Sequence, residues 1–327
     1  MTTASADATR PEGAGGGTST DSQEAADAIK AIPVRHPGRW VATAVIVVLA
    51  AMFVHMLLTN DAFAWDFMAA NIFAPPVLDG ARNTIVLTVV AMLIGIVIGV
   101  VLAIMRLSAN PILSWVSWVY IWFFRAVPRV VLLVLFGNLG ILYTRFEFGV
   151  PFDWWIADLL GIDMSLRFFG LDARTAVTGF VAAVMGLALS EAAYMAEIVR
   201  AGMQSIPQGQ IDAAESLGMR RPLMLRRIIL PQAMRVIIPP TGNETIAMLK
   251  DTALVAYVPA YELWFQLQGI GTRTFQVFPM LVAACLWYLA LTSILMVAQY
   301  FVERYFSRGS RTTSARLRLA RSGAGGA

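Results

Sequence analysis

The chain has a single cysteine, Cys285, so no internal disulfide can form; it lies in an apolar run and reads as a small packed hydrophobe. Its two histidines, His36 and His55, are too few to build a metal cluster by themselves. Charge is the larger shortage. Only 14% of the 327 residues are Asp, Glu, Lys or Arg, against about 25% in an ordinary soluble domain. Residues 84–105 and 274–302 contain no charge at all. A charge at the centre of a membrane helix costs roughly 2.5–3.5 kcal/mol, and a soluble core has no need to avoid charge so completely. With 58% hydrophobic residues and a mean hydropathy of +0.66, the composition predicts an all-α integral membrane protein built as a helical bundle. The net charge of +4 does not point to nucleic acid, because the arginines cluster beside the hydrophobic runs.

What is present sorts along the chain. Residues 1–38 are rich in Ala, Gly, Ser, Thr and Asp, have no apolar period and read as a disordered cytoplasmic tail. An apolar run at 40–58 is long enough to cross a bilayer and is followed by no clear cleavage site, so an uncleaved accessory span is expected over 39–60. A second span runs over 84–105; within it Gly95 and Gly99 are one turn apart and allow a close helix neighbour. The region 111–144 reads as an aromatic-rich interfacial helix that bends at Pro128 into a span ending near Tyr143. Arg125 and Arg129 either snorkel there to headgroups or are buried along a polar path. Residues 145–173, with Glu147, Asp153, Asp158, Asp163 and Asp172, read as an extracytoplasmic loop with an interfacial helix around "WWIADLLGI". Further spans are expected at about 174–200, 235–260 and 276–304, six in all, with a basic tail over 307–327. Lys30, Arg35, Arg39, Arg200, Arg220, Arg221, Arg226, Arg227 and the tail arginines outnumber the basic residues of the opposite loops, which places both termini in the cytoplasm.

Between the fourth and fifth spans lies a short amphipathic segment. Ser205 and Gln208 have capping-box spacing, and Pro207 suits a first helical turn. Ile211, Ala214 and Leu217 recur at three-residue spacing, with Asp212, Glu215 and Ser216 around the other side. Gly218 suits a left-handed stop, Pro222 can open a second short helix, and Pro231 marks the start of the next membrane segment. An amphipathic helix lying on lipid is one reading, favoured by the flanking arginines. Paired alanines and a glycine, however, are poor lipid anchors and good close-contact residues, which favours docking into a groove of another protein.

The stretch "DAAESLGMRRPLMLRRIILP", 212–231, resembles the EAA loop of ABC-importer permeases. Asp212, Ala213, Ala214, Gly218, Ile228, Leu230 and Pro231 satisfy its full spacing, with Asp212 where the family usually has Glu. The segments 120–133, 192–210 and 230–255 resemble the polar amino-acid uptake permeases, the histidine/glutamate/glutamine/arginine/opine branch, and Arg129 departs from the apolar residue usual there. The resemblance covers most of residues 80–305. It implies a permease domain over 80–306, of the five-helix type I importer core, with a cytoplasmic coupling loop at 201–231. Such permeases pair with a second permease chain, identical or homologous. Each presents its loop helix to a cytoplasmic ABC ATPase subunit, and an extracytoplasmic binding protein delivers the amino acid. ATP and Mg are bound by the partner ATPase and no cofactor by the permease. The residues Ile211, Asp212, Ala213, Ala214, Leu217, Gly218, Ile228, Leu230 and Pro231 would couple to that ATPase, and the location would be a bacterial inner membrane. The chain itself carries no G-x-x-x-x-G-K-[ST] phosphate loop, so it is expected to be a non-catalytic subunit.

Ionisable residues inside spans usually face the bundle interior. Glu244, Lys250, Asp251 and Thr252 in span five, with Arg125 and Glu191, form the expected substrate pathway. Glu244 and Asp251, seven apart, share a helix face. Mutual structural pairing is the competing reading. Glu197 and Arg200, three apart, are expected to pair on a helix surface near the inner face. An ion-coupled secondary transporter or channel is the alternative function; its inverted repeats and paired broken helices are not evident in the sequence. A membrane scaffold that recruits a partner without transport is the third.

Overall fold

The computed structural model describes residues 37–150, 153–161 and 167–306. The expected tails, 1–38 and 307–327, lie outside the described residues apart from their inner edge, as do Asp163 and the tail arginines. The chain divides into two compact units, residues 1–60 and 61–327. Among the described residues the first contains one helix, α1 (Pro37–Thr59), whose stretch Gly38–Thr59 is an apolar run of span length.

In the second unit, α2 (Trp65–Asn71) leads into α3 (Pro75–Arg106). Pro75 and Pro76 stand in the first turn of α3, where a missing N–H is harmless, and Arg106 closes it at the favourable end of the helix dipole. Asn110 then caps α4 (Pro111–Ala126) by accepting from the Ile112 N–H at 2.9 Å. Val127 precedes a proline and is driven into the extended region, and α5 (Arg129–Gly137) leaves at 99° to α4. The bend expected at Pro128 is therefore present and sharp.

After the short α6 (Leu139–Leu142) the chain forms an antiparallel hairpin, β1 (Arg145–Gly149) with β2 (Arg167–Asp172), flanking α7 (Asp153–Leu160). The helix around "WWIADLLGI" was expected; the two strands were not, and they add a small sheet to the otherwise helical fold. Arg167 ties the hairpin to α7 through Asp153 at 3.0 Å and also pairs with Glu147. The hydrogen bond to Asp153, then the charges of Asp153 and Glu147, raise the pKa of Arg167 above its ordinary value.

The short α8 (Ala173–Ala176) leads to α9 (Gly179–Gln204), the most buried of the long apolar helices. It packs along α3, and the contact shows why Gly95 and Gly99 are glycines. A Cβ on Gly95 would lie 2.9 Å from the Glu191 Cβ and Cγ, and one on Gly99 would lie 2.6 Å from the Met195 Cβ. Between apolar helices in lipid, such close van der Waals packing is the main cohesive term. Leu87, Ala91 and Met92 of α3, Leu133 of α5 and Leu187, Ala188 and Met195 of α9 form one buried cluster with Met248 and Val255.

The loop segment expected between spans four and five follows as α10 (Gln208–Ser216) and α11 (Arg221–Met224), then a π-helical stretch, Leu225–Ile229, that runs into α12 (Leu230–Asp251). A 3-10 turn, Thr252–Tyr257, ends that course, and α13 (Leu263–Thr274) and α14 (Val277–Phe306) complete the fold. Among the described residues four helices are long and apolar enough to cross a membrane: Gly38–Thr59, Pro75–Arg106, Gly179–Gln204 and Val277–Phe306. The bent pair α4–α5 makes five if it counts as one crossing. The expected six are thus reduced. The span placed at 235–260 is not one apolar helix: α12 stops at Asp251, contains Pro239 and Pro240, and carries Arg235, Glu244, Lys250 and Asp251. Apart from the β1–β2 hairpin, the chain is a multi-pass, helical membrane bundle.

Candidate functional site

The break between α4 and α5 sets the geometry of the polar site. Pro128 has no N–H to continue α4, so Arg129 becomes the first residue of a new helix. From there its guanidinium donates to Asp251 Oδ2 of α12 at 2.7 Å and to Glu191 Oε2 of α9 at 2.9 Å. Glu244, two turns earlier on the same face of α12, lies 3.8 Å from the same guanidinium. Arg129 and Arg125 both lie over the Tyr194 ring, at 4.9 and 5.5 Å from its centroid, within the range of cation–π attraction.

The Glu191 side chain is fully buried, Arg129 is 12% exposed, and Glu244 and Asp251 are 27% and 34% exposed. Glu191 Oε1 and the neighbouring Ser190 hydroxyl have no hydrogen-bond partner. The cluster therefore has a closed end at Glu191 and an open side at Glu244 and Asp251. Beside it lies a cavity of about 540 Å³ lined by Trp118, Trp122, Arg125, Tyr194, Arg106 and Arg200 among others.

Of the expected pathway residues, Glu191, Glu244 and Asp251 converge on one point, and Arg125 approaches it through Tyr194. Lys250 does not join them; it is exposed on α12. Thr252 is fully buried and donates to the Leu249 carbonyl at 2.6 Å, a helix-end contact. Glu197 and Arg200 pair at 2.5 Å as expected. Arg129 takes the buried alternative rather than snorkelling. It and Tyr194 are the residues that the sequence reading did not place in the site. Their only local signals are an arginine directly after the proline break and a tyrosine three residues after Glu191 on one helix.

The loop is built around its stop. Gly218 has φ +71°, the Gly218 N–H donates to Glu215 O and the Met219 N–H to Ala214 O, which is a complete Schellman termination. The start differs from the expectation. The N-cap position is Pro207, no side chain caps α10, and the Ser205 hydroxyl instead donates to Gly202 O. The expected apolar face also divides. Ala214 is buried against Ile206, Met224, Ile229 and Ala233 of the same chain, Ile211 is half-buried, and Leu217 is 81% exposed. Asp212, Ala213, Leu217 and Gly218 are on the surface, with Leu230 and Pro231 exposed and Ile228 half-buried behind them.

Among the described residues no group of three or more His, Cys, Asp or Glu is placed to hold a metal ion. A bent span, a buried charge cluster and a surface helix with a fixed stop define a membrane-embedded transport subunit. Residues 95–308 match the family of binding-protein-dependent transport system inner membrane components, and the chain belongs to that family. It is a non-catalytic permease subunit. It is 45% identical to the arginine transport system permease protein ArgU of Corynebacterium glutamicum, over 91% of this chain and 90% of that one. It is 34% identical to the probable amino-acid permease protein YxeN of Bacillus subtilis, over 76% of this chain and 98% of that one. The crystal structure of an amino acid ABC transporter with histidines superposes with a TM-score of 0.58 and 29% identity, covering 73% of this chain and 98% of that one.

Proposed function

We infer that this chain is the permease subunit of an ABC-type amino-acid importer, and that polar amino acids, with arginine the first to test, are its cargo. The ArgU likeness at 45% identity over nearly the whole chain supports the cargo class. The convergence of Glu191, Glu244 and Asp251 on Arg129 supports a polar path suited to a charged solute. The pathway is Glu191, Glu244, Asp251 and Arg125, with Thr252 and Lys250 at its margin.

The observation that carries the coupling role is the surface helix α10 with its Schellman stop at Gly218. Asp212, Ala213, Leu217 and Gly218 present a small exposed face to a cytoplasmic ATPase. Ala214, Ile211, Ile228, Leu230 and Pro231 link that face to the base of α12. Motion of the loop is thereby transmitted to Glu244 and Asp251 on the same helix. The ATPase binds ATP and Mg, an extracytoplasmic protein delivers the amino acid, and a second permease chain completes the pathway.

In this reading both termini are cytoplasmic, in a bacterial inner membrane. Residues 39–60 are an accessory span, 80–306 the permease domain with loop 201–231, and the tails 1–38 and 307–327 flank them. In this reading the α12 helix is the sixth crossing, with Glu244 and Asp251 turned to Arg129 within the chain. Uptake of radiolabelled amino acids into proteoliposomes, with and without the cognate ATPase and binding protein, tests the proposal. ATP-dependent uptake is expected; ATP-independent uptake by the purified chain would replace it with an ion-coupled transporter or channel.

A further inference from the structure

We propose that Arg129 is a tethered stand-in for a cationic cargo: its guanidinium occupies the carboxylates of Glu191, Glu244 and Asp251 while they are unloaded, and yields them to the side-chain guanidinium or ammonium group of the transported molecule. This deepens the transport reading above and rests on it.

The first support is stoichiometry. Arg129 alone is within ion-pair distance of the three carboxylates, bonding Asp251 at 2.7 Å and Glu191 at 2.9 Å while Glu244 stands off at 3.8 Å; Arg125 is farther away, on the Tyr194 ring. The set has acceptor capacity for a second cation. The second support is an unfilled acceptor. Glu191 Oε1 is buried and has no hydrogen-bond partner, a costly state that a better-filled site would relieve. The third is access. Glu244 and Asp251 are partly exposed and Glu191 is not, so an entering cation meets the open carboxylates before the closed one. The fourth is the Tyr194 ring, which already has two guanidinium groups over it at 4.9 and 5.5 Å. An aromatic face flanked by carboxylates suits a planar cation.

Arg129 is also placed to give way. It is rooted at the first residue of a nine-residue helix that follows a 99° break. Because Leu133 of that short helix is packed in the cluster shared by α3 and α9, withdrawal of the guanidinium would be a rotamer change of the Arg129 side chain and not a movement of α5. A site occupied by its own side chain binds an outside ligand more weakly, in proportion to the fraction of time it stands vacant. The stand-in thus lowers affinity for cargo inside the membrane, which favours release, and keeps the buried Glu191 and the partly exposed Asp251 paired between transport events.

The test measures equilibrium binding of arginine, lysine and citrulline to the full chain with its cognate ATPase in lipid nanodiscs. Citrulline keeps the size and shape of arginine but is neutral in the side chain. Arg129→Gln is expected to bind arginine and lysine at least ~10-fold more tightly than the wild type, as for a site vacant about a tenth of the time, with citrulline unchanged. Unchanged or weaker arginine binding by the folded variant overturns the proposal, and so does an equal gain for citrulline. Because Arg129→Gln leaves Glu191 unpaired and can impair folding, Arg129→Met with Glu191→Gln is the second variant. It removes the buried pair together and leaves Glu244 and Asp251 free; measured against Glu191→Gln alone, which lacks the same carboxylate, a gain confined to the cations is again expected, and no gain overturns the idea. Failure of ATP-driven uptake by the wild type would remove the importer reading itself, whereas normal uptake with flat binding ratios removes only the stand-in.

Discussion

Arg129 and Asp251 are 122 residues apart in the chain, and their side chains meet at 2.7 Å. The contact ties the helix after the break to the end of α12, the helix that continues from the surface loop. Asp251 is 34% exposed and Arg129 retains Glu191 at 2.9 Å without it. Asp251→Ala should therefore cost little stability, roughly 1 kcal/mol or less for a partly solvated pair, while uptake falls severalfold. Thermal melting of the purified variant beside proteoliposome uptake separates the two effects. Unchanged uptake would make Asp251 a structural tie only.

The other half of the cluster behaves differently because it is dry. Glu191 is fully buried, and removing its cation leaves a charge without compensation. Breaking such a pair costs about 3–5 kcal/mol, whereas replacing both members with apolar residues is often near neutral. Arg129→Leu should lower the melting temperature sharply, and Arg129→Leu with Glu191→Leu should recover most of the loss. A double variant no more stable than the single one would show that the pair is not the source of the cost.

How much of this could be read beforehand follows the range of each interaction. Local signals were visible: the bend at Pro128, the stop at Gly218, and the helix starts at Pro222 and Pro231 all follow from backbone chemistry within a few residues. The glycine pair at 95 and 99 also predicted a close neighbour, though not which helix. The face of α10 was misjudged through drift. Residues three apart fall short of a full turn, so Leu217 stands about 120° around the helix from Ile211, and it is exposed. Span five was misplaced because hydropathy does not register where a helix with two internal prolines must end. The convergence of Arg129 with residues 62 and 122 positions away had no local signature.

The α3–α9 contact predicts strong size dependence at Gly99. A Cβ there would lie 2.6 Å from the Met195 Cβ and 3.0 Å from the Ala192 carbonyl oxygen, so a helix must shift to admit it. Gly99→Val should cost about 1–3 kcal/mol as overpacking, seen as a lower monodisperse fraction in detergent and a lower melting temperature. Partial relief is expected from Gly99→Val combined with Met195→Gly, which removes the facing Cβ, but not from a truncation elsewhere on α9. No relief would place the strain in the backbone instead.

Cys285, the only cysteine, is exposed, so site-directed crosslinking starts from Cys285→Ser. In that background Ala213→Cys, on the exposed face of α10, should crosslink to the ATPase subunit. Ala214→Cys, buried against Met224 and Ile229, should not. Reaction of Ala213→Cys only with reagents added outside the cell would invert the proposed orientation.

Gly218 gives the sharpest test of the docking surface. Its φ of +71° means that any other residue strains the backbone, at about 1–2 kcal/mol. Gly218→Ala and Gly218→Trp share that cost. A Cβ added there meets nothing within 4 Å, so both side chains leave the backbone into open space and the two variants are expected to fold with similar energy. Any dependence on side-chain size must then come from a molecule that docks on the loop. Both variants should insert and purify normally. Gly218→Ala should keep most ATP-driven uptake, and Gly218→Trp should lose it by tenfold or more while the ATPase continues to turn over basally. Equal uptake by the two variants would mean that nothing closes on this surface, and the force-transmitting role of α10 would fall with it.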